Sequence, residues 1–165
     1  NVEVTETGNA SFTGFGVKKI LQPSKSLADY STVSDADVVI MRYAHVLLMI
    51  AEAENEVNGP TEKALKAINA VRTRSHQPAI DGTGLTQAEL RERIRNEWRV
   101  ETCFEGLRYF QLKRWKLLQQ VVEGAVDPAY PSYIKVVKPA FEFFPLPQGE
   151  IDKAHGVLVQ DPNYQ

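Results

Sequence analysis

Three glutamates, Glu97, Glu101 and Glu105, follow one another at intervals of four residues and are the candidate acid–base residues of the sequence. Two carboxylates can cleave a glycosidic bond when they face each other across a cleft, one acting as acid and the other as base or nucleophile. Steps of four residues instead place these three along one side of a single helix. That side points toward packing partners. The spacing therefore favours structural ion pairing over hydrolysis.

The helix that must position these glutamates presents carboxylates and apolar residues on the same face. With a start at Thr86, that face contains Leu90, Ile94, Glu97, Glu101 and Phe104. A buried carboxylate needs a cation or hydrogen-bond donors, because an unpaired charge in a low dielectric is very costly. The predicted structural ion network consists of Arg42, Arg72, Glu97, Arg99, Glu101 and Arg108, with Arg74 also close by in sequence.

Other reactive residues give no recognisable site. His45, His76 and His155 lie on different elements without metal-ligand spacing. The single Cys103 excludes an internal disulfide and is predicted to be an inert core thiol in mid-helix beside Phe104. No glycine-rich loop has phosphate-binding spacing. The sequence predicts no catalytic residue, metal or cofactor.

Composition describes an ordinary globular chain of 165 residues, 43% hydrophobic and 24% charged. The formal net charge of −2 offers no basic excess, which argues against nucleic-acid binding. The longest apolar run, residues 38–51, contains Arg42 and His45 and is too short and too polar to span a bilayer. Because the first residue is Asn1, we expect a processed or excised part of a longer protein.

Helical patterns dominate the middle of the chain. Residues 37–58 are apolar on nearly every side, so this helix must be covered by several neighbours. Gly59 suits its end and Pro60 the start of a second helix, about 60–75, which makes an antiparallel hairpin. A capping box and a hydrophobic staple predict a third helix starting at Thr86 and breaking at Gly106. A fourth is expected over about 107–121.

Strands are predicted only outside this helical region. Residues 15–21 read as a short edge strand, and 133–138 with 141–144 as a small β-hairpin. The predicted organisation is a loop and edge strand over 1–36, a helical core over 37–121, and the hairpin with an extended segment over 122–165. The predicted fold class is mainly α.

Five stretches in order resemble the C-terminal region of the SusD/RagB family. They are Val39-Ile40-Met41-Arg42-Tyr43-Ala44-His45-Val46-Leu47-Leu48-Met49-Ile50-Ala51-Glu52-Ala53, Ala64-Leu65-Lys66-Ala67-Ile68-Asn69-Ala70-Val71-Arg72-Thr73-Arg74, residues 96–115, Phe144-Pro145-Leu146-Pro147-Gln148-Gly149-Glu150-Ile151, and Val159-Gln160-Asp161-Pro162-Asn163-Tyr164. The chain departs from the family pattern at Trp98, Gln111 and Asp161, where a second arginine, an aspartate and an asparagine are usual.

The resemblance implies tetratricopeptide-like helix pairs and a non-catalytic role. Family members are glycan-binding lipoproteins of Bacteroidetes that bind oligosaccharides at the outer-membrane surface and cap a TonB-dependent, SusC-like transporter. It also implies a lipid anchor on a cysteine at the N-terminus, and Cys103, in mid-chain, cannot be that cysteine. It further implies that the N-terminal half of the same protein completes the helix pairs. The family's binding residues vary between members, so none is carried over.

Aromatic residues are the candidates for sugar contact, since sugar rings stack their C–H faces on Tyr and Trp. Trp98, Tyr109 and Trp115 lie in the helical region and are expected in the core. Tyr130 and Tyr133 lie in a proline-punctuated loop and are the candidate glycan-binding residues. The alternative is a helical-repeat module that contacts the transporter while other parts of the full-length protein bind sugar.

Overall fold

The computed structural model describes Val17, Lys19 and residues 39–125, 136–138 and 143–164. Six α-helices occur in this part of the chain: α1 (Tyr43–Asn58), α2 (Glu62–Arg74), α3 (Gln87–Glu101), α4 (Arg108–Arg114), α5 (Leu118–Glu123) and α6 (Gln148–Lys153). A 3₁₀ turn follows at Pro162–Tyr164. The prediction of a mainly α fold is confirmed. None of these helices is both long enough and apolar enough to cross a membrane.

The small β-hairpin is not seen in the residues that the structure describes. Residues 136–138 and 143–144, which belong to the two predicted strands, have no strand conformation. Alternating apolar residues predicted strands there, but a strand also needs a hydrogen-bonded neighbour, which the pattern alone does not supply. Most of the 15–21 edge strand and the remainder of both hairpin strands lie outside the described residues.

The chain divides into two compact units, residues 1–107 and 108–165. In the first unit α1 and α2 form an antiparallel hairpin, and α3 packs against α1. Their shared core is made of fully buried aliphatic side chains, Leu48, Ile68, Val71, Leu90 and Ile94. Burying each of these contributes roughly 1.5–3 kcal/mol relative to leaving it in water.

Helix α1 begins later than residue 37, because Arg42 is still extended, with φ −141° and ψ 165°. It ends where expected: Gly59 has a φ of 80° and its N–H donates to Asn55 O at 3.0 Å. Helix α2 is capped by Thr61, whose hydroxyl oxygen accepts from Ala64 N–H at 3.3 Å. Pro60 therefore lies before the cap and is not the first helical residue.

The predicted start of α3 is confirmed in detail. Glu89 N–H donates to Thr86 Oγ1 at 3.2 Å, and Thr86 N–H donates to Glu89 Oε2 at 2.8 Å. These two bonds form the capping box, which satisfies backbone donors that the first helical turn leaves unpaired. Leu90, the inner half of the predicted staple, is fully buried.

Helix α3 ends at Glu101, five residues before the predicted break at Gly106. Thr102 is its C-cap: the backbone N–H and Oγ1 of Thr102 both donate to Trp98 O, at 3.0 and 2.6 Å. Phe104 and Gly106 then adopt left-handed conformations, with φ of 64° and 75°. Phe104 is consequently 68% exposed and Cys103 is exposed, so the predictions of a buried Phe104 and a core thiol were wrong.

In the second unit the predicted helix 107–121 is interrupted. Lys116 adopts a φ of 56°, and Leu117 N–H donates to Leu112 O at 2.8 Å, a bond that closes α4 before α5 begins. Nothing in the residue types at 115–117 signals a left-handed lysine. Farther on, Tyr164 Oη donates to Phe143 O at 2.7 Å and fixes the last turn against the segment before α6.

Candidate functional site

The carboxylates of α3 and of the turn after it meet basic side chains from α1, α2 and the segment that precedes α1. We call the carboxylates and basic residues together the Arg42 cluster. It consists of Lys19, Arg42, His45, Arg74, Glu101 and Glu105. Antiparallel packing of α1 against α3 places the first turn of one helix beside the last turn of the other, which brings together residues about sixty positions apart.

Glu101 is a buried carboxylate shared by two arginines. Its Oε1 accepts from Arg42 Nη1 and from Arg74 Nη2, both at 2.5 Å. Its backbone oxygen accepts from Arg42 Nη2 at 2.7 Å and from Lys19 Nζ at 2.6 Å. The last carbonyls of a helix carry partial negative charge, so these cations also complement the C-terminal end of α3.

Glu105 lies in the turn after α3 and contacts three basic residues. Arg42 donates from Nη2 to Oε1 at 2.7 Å and from Nε to both oxygens at 3.1 and 3.2 Å. Lys19 Nζ lies 2.5 Å from Oε1, and His45 Nε2 lies 2.7 Å from Oε2. The left-handed Phe104 and Gly106 on either side turn the chain so that Glu105 points back to α1.

The tautomer of His45 follows from its two neighbours. Its Nδ1 accepts from the backbone N–H of Arg42 at 3.4 Å, so the ring proton is on Nε2 and is donated to Glu105. The bond at Nδ1 also caps α1, because it holds the backbone N–H of the residue that precedes the helix. His45 is 4% exposed and has its ring near that of Trp98, with centroids 6.0 Å apart.

These contacts keep Glu105 ionised. Burial by itself favours the neutral acid, but hydrogen bonds from Arg42, Lys19 and His45, together with the charge of Arg42, lower the pKa of Glu105 to about 2. Burial also disfavours the Arg42 cation, yet its bonds to Glu105 and Glu101 raise the pKa of Arg42 above its ordinary value. At neutral pH Glu105 therefore has no proton to donate, and its lone pairs are occupied by donors.

Glu97 forms a second ion pair one turn earlier on α3. Its Oε2 accepts from Arg72 Nη1 at 2.6 Å, and the Glu97 side chain is only 5% exposed. Arg72 Nε also donates to Pro78 O at 2.8 Å. Arg72 thus connects α2 both to α3 and to the loop that follows α2.

The other ends of α1 and α3 are joined by a different set of bonds. Arg91 donates from Nε and Nη2 to the two carboxylate oxygens of Glu56, both at 2.6 Å. Asn55 Nδ2 donates to Gln87 O at 3.0 Å, while Gln87 Nε2 donates to Asn55 O at 2.6 Å. The two helices are consequently connected by polar contacts at both ends, with the apolar core between them.

The structure places the remaining predicted residues elsewhere. Arg99 lies on the exposed face of α3 and donates to Asn96 Oδ1 at 3.3 Å, apart from the Arg42 cluster. Arg108 lies in the second unit, with its guanidinium 6.0 Å from the ring centroid of Trp115. Tyr130 and Tyr133 lie outside the described residues.

Sequence reasoning expected Glu105 to form structural ion pairs and counted Arg74 among the nearby arginines, but it missed Lys19 and His45. His45 carried a usable signal, because it follows Arg42 by three residues, a spacing that places side chains together on a helix or its continuation. Lys19 carried none, because its neighbours in sequence show no periodicity.

In the second unit, aromatic rings gather around the ammonium group of Lys113. Its Nζ lies 5.4 Å from the ring centroid of Tyr109 and 5.9 Å from the centroids of Phe143 and Phe144. Phe143 and Phe144 are 64% and 72% exposed. The buried residues of α4 are Gln111 and Leu112, so the predicted core aromatic Tyr109 is only partly covered.

Among the described residues, no three His, Cys, Asp or Glu side chains come together as metal ligands. The buried carboxylates of α3, Glu97 and Glu101, are each paired with guanidinium groups from other helices or their caps, in the way that holds helices together. The geometry assembles a rigid scaffold of three helices.

Similar proteins of known sequence come from Formosa agariphila. SusD-like protein P2 of Formosa agariphila is 32% identical in an alignment of 143 residues that covers 79% of this chain and 26% of that protein. SusD-like protein P25 of the same organism is 41% identical in an alignment of 125 residues that covers 74% of this chain and 23% of that protein. The chain thus spans about a quarter of the length of these relatives.

Solved structures give the same result. Surface glycan-binding protein A from Bacteroides thetaiotaomicron superimposes with a TM-score of 0.61 at 30% identity, over 77% of this chain and 25% of that protein. A SusD-like protein from Bacteroides fragilis gives a TM-score of 0.63 at 30% identity, over 77% and 26%. The family model described as the SusD family matches residues 2–164. The chain belongs to the SusD family.

Proposed function

We propose that these residues are the helical scaffold of a non-catalytic oligosaccharide-binding protein of the outer-membrane surface. The observation that carries the proposal is the family match over residues 2–164, together with the likeness to a surface glycan-binding protein. In this proposal a lipid on a cysteine outside these residues anchors the protein. A TonB-dependent, SusC-like transporter receives the sugar. The N-terminal half of the same protein completes the binding surface.

The Arg42 cluster supports the non-catalytic part of the proposal. A glycosidase needs one carboxyl that can donate a proton near the working pH and a second that faces the substrate. Glu101 and Glu105 both contact Arg42; Glu101 is buried, the side chain of Glu105 is 9% exposed, and the pKa of Glu105 is about 2. Glu97 contacts Arg72. All three carboxylates act as acceptors that fix helices.

Glycan contact is proposed for Tyr130 and Tyr133, in the sequence segment that follows α5. Isothermal calorimetry of the chain against a panel of neutral and acidic oligosaccharides is the test. We expect heat on mixing with one class, lost in Tyr130→Ala or Tyr133→Ala. Tyr43→Ala is the matched control, because it removes an exposed tyrosine from α1.

The outcomes separate the alternatives. Binding by the full-length protein but not by this chain would assign sugar recognition to other parts and favour a module that contacts the transporter. Release of reducing ends over time by the chain would refute the non-catalytic role. A transporter gene beside this one, and co-purification of its product, would support the transporter partnership.

A further inference from the structure

A hollow on the surface of the first unit borders the Arg42 cluster. It has a volume of about 350 Å³, and Arg42 and Arg74 both line it. Apart from Tyr43, the rest of its lining is aliphatic and comes from α1 and α2: Ala44, Leu47, Ala70 and Val71. Small-molecule sites in proteins have volumes of roughly 300–1,000 Å³, so the hollow is large enough for a small ligand.

The charges of the Arg42 cluster do not balance. The cluster holds three cations and two carboxylates: Lys19, Arg42, Arg74, Glu101 and Glu105. The described residues bring no further carboxylate into contact with these cations. His45 adds no charge in its neutral tautomer, whose Nδ1 accepts a hydrogen bond. Three positive charges against two negative charges leave one positive charge in excess beside the hollow.

Arg74 is the cluster member with donors left for a further anion. Its Nη2 donates to Glu101 Oε1 at 2.5 Å and to Ser75 Oγ at 3.1 Å, and these bonds fix the guanidinium in place. The described part of the chain supplies no acceptor for its Nε and Nη1, and the side chain is 60% exposed. Arg42, by contrast, donates from all three of its nitrogens to Glu101 and Glu105. Arg74 therefore offers a positioned guanidinium with available donors at the hollow.

The combination of a guanidinium with an aliphatic lining selects the chemistry of the ligand. An anion in contact with a guanidinium forms short, charge-assisted hydrogen bonds. The aliphatic lining suits the C–H face of a sugar ring, whereas a small hydrated ion would lose water there without replacement. A sugar ring with an acidic substituent satisfies both parts of the site.

We propose that the hollow is a subsite for one acidic unit of an oligosaccharide, a uronic acid or a sulfated sugar, whose anionic group contacts Arg74. The bound anion neutralises the excess charge of the Arg42 cluster. The proposal rests on the proposed function for the ligand being a sugar, and it adds the class of sugar. Tyr43 also lines the hollow, so Tyr43→Ala is a control for neutral oligosaccharides and not for acidic ones.

Isothermal calorimetry with matched acidic and neutral sugars tests the proposal, in the 165-residue chain and in the full gene product that contains it. The uronate probe is trigalacturonate, compared with its methyl ester; the sulfate probe is a sulfated galactose trimer, compared with the unsulfated trimer. Inorganic sulfate is the anion without a sugar. Arg74→Gln removes the cation, and Ala70→Leu fills the hollow from an exposed position without touching an ion pair. Arg99→Gln is the matched control, because it removes an exposed arginine from α3.

We expect one acidic trimer to bind at least about tenfold more tightly than its neutral counterpart, and the trimer that binds identifies the acidic group. Arg74→Gln and Ala70→Leu should each weaken that binding at least about tenfold, Arg99→Gln should not, and added salt should weaken it. Equal affinity for acidic and neutral trimers, an acidic affinity unchanged in both variants, or inorganic sulfate bound as tightly as the sugar would each refute the proposal. Binding by the 165-residue chain but not by the full gene product would mean that the hollow is covered in the whole protein, and would also refute it.

Failure of the acidic subsite and failure of the proposed glycan contact give different results. Heat with a neutral trimer that is lost in Tyr130→Ala but unchanged in Arg74→Gln would refute the subsite and leave glycan binding in place. Acid-specific heat that depends on Arg74 and is unchanged in Tyr130→Ala and Tyr133→Ala would support the subsite and refute contact at those tyrosines.

Discussion

Replacing Glu105 by glutamine removes the charge on which Lys19, Arg42 and His45 converge, without changing the size of the side chain. The pKa of Glu105 is about 2, against an ordinary value of 4.5. At 1.36 kcal/mol per pKa unit, this difference is at most about 3 kcal/mol of stabilisation of the folded state. The side chains of Lys19 and Arg42 are 35% and 24% exposed, so water screens their charges and reduces this stabilisation. We therefore expect Glu105→Gln to lower the free energy of unfolding by about 2 kcal/mol at pH 7.

The sign of the pH dependence follows from the lowered pKa. A carboxyl with a lower pKa in the folded state contributes its full stabilisation above the unfolded value of 4.5 and loses it as the pH falls toward 2. By pH 3 more than half of the contribution from Glu105 is expected to be gone. The difference between wild type and Glu105→Gln should shrink accordingly from pH 7 to pH 3.

Urea unfolding followed by tryptophan fluorescence measures this difference. Trp115→Phe in every variant leaves Trp98, which is 4% exposed in the first unit, as the reporter. Glu92→Gln is the matched control, because Glu92 pairs with Arg95 at 2.7 Å on the surface, with its side chain 69% exposed. If Glu105→Gln were no more destabilising than Glu92→Gln at pH 7, or if its effect were the same at pH 3, the ionic account of the cluster would be refuted.

Three further predictions concern packing, capping and exposure. Leu90→Ala leaves a cavity in a fully buried position and should cost about 2–5 kcal/mol in urea unfolding, whereas Val100→Ala on the same helix should cost far less. Thr86→Ala removes the oxygen that accepts from Glu89 N–H and should cost about 1 kcal/mol; Thr86→Ser, which keeps that oxygen, should restore most of it. The Cys103 thiol should react with a disulfide reagent in the folded chain nearly as fast as in urea, and strong protection would contradict its exposed position.

The helical part of the fold could be predicted wherever the signal is local. The α3 start was predictable because a threonine and a glutamate three residues apart bond to each other's backbone regardless of the surroundings. The end of α3 was not, because Thr102 is compatible with a helix by propensity. The left-handed Phe104 belongs to the turn that carries Glu105 to Arg42, and this contact spans 63 residues of sequence. Where a tertiary contact decides the residue at which a helix ends, a prediction from periodicity makes the helix too long.

The same distinction applies to the candidate site. Buried carboxylates on the inner face of α3 and arginines to match them follow from periodicity and the energy of an unpaired charge, and Glu97 with Arg72 lies as that reasoning expects. Which arginine faces which glutamate depends on the register of α1 against α3. Arg99 follows Glu97 by only two residues, which directs it to the opposite side of the helix. Lys19 enters from a segment without pattern.

The placement of Arg42 has a consequence for how this protein can be cut. Arg42 precedes the first turn of α1, where helix dipoles disfavour a cation, and it is tolerated there because Glu101 and Glu105 neutralise it. A chain shortened to begin at Tyr43 would keep every residue of the three long helices. Glu101 and Glu105 would nevertheless lose Arg42, the cation that both contact. Of the basic residues around Glu105, only His45 would remain. A shortened piece must therefore keep Arg42, one residue outside the helix, to keep these ion pairs.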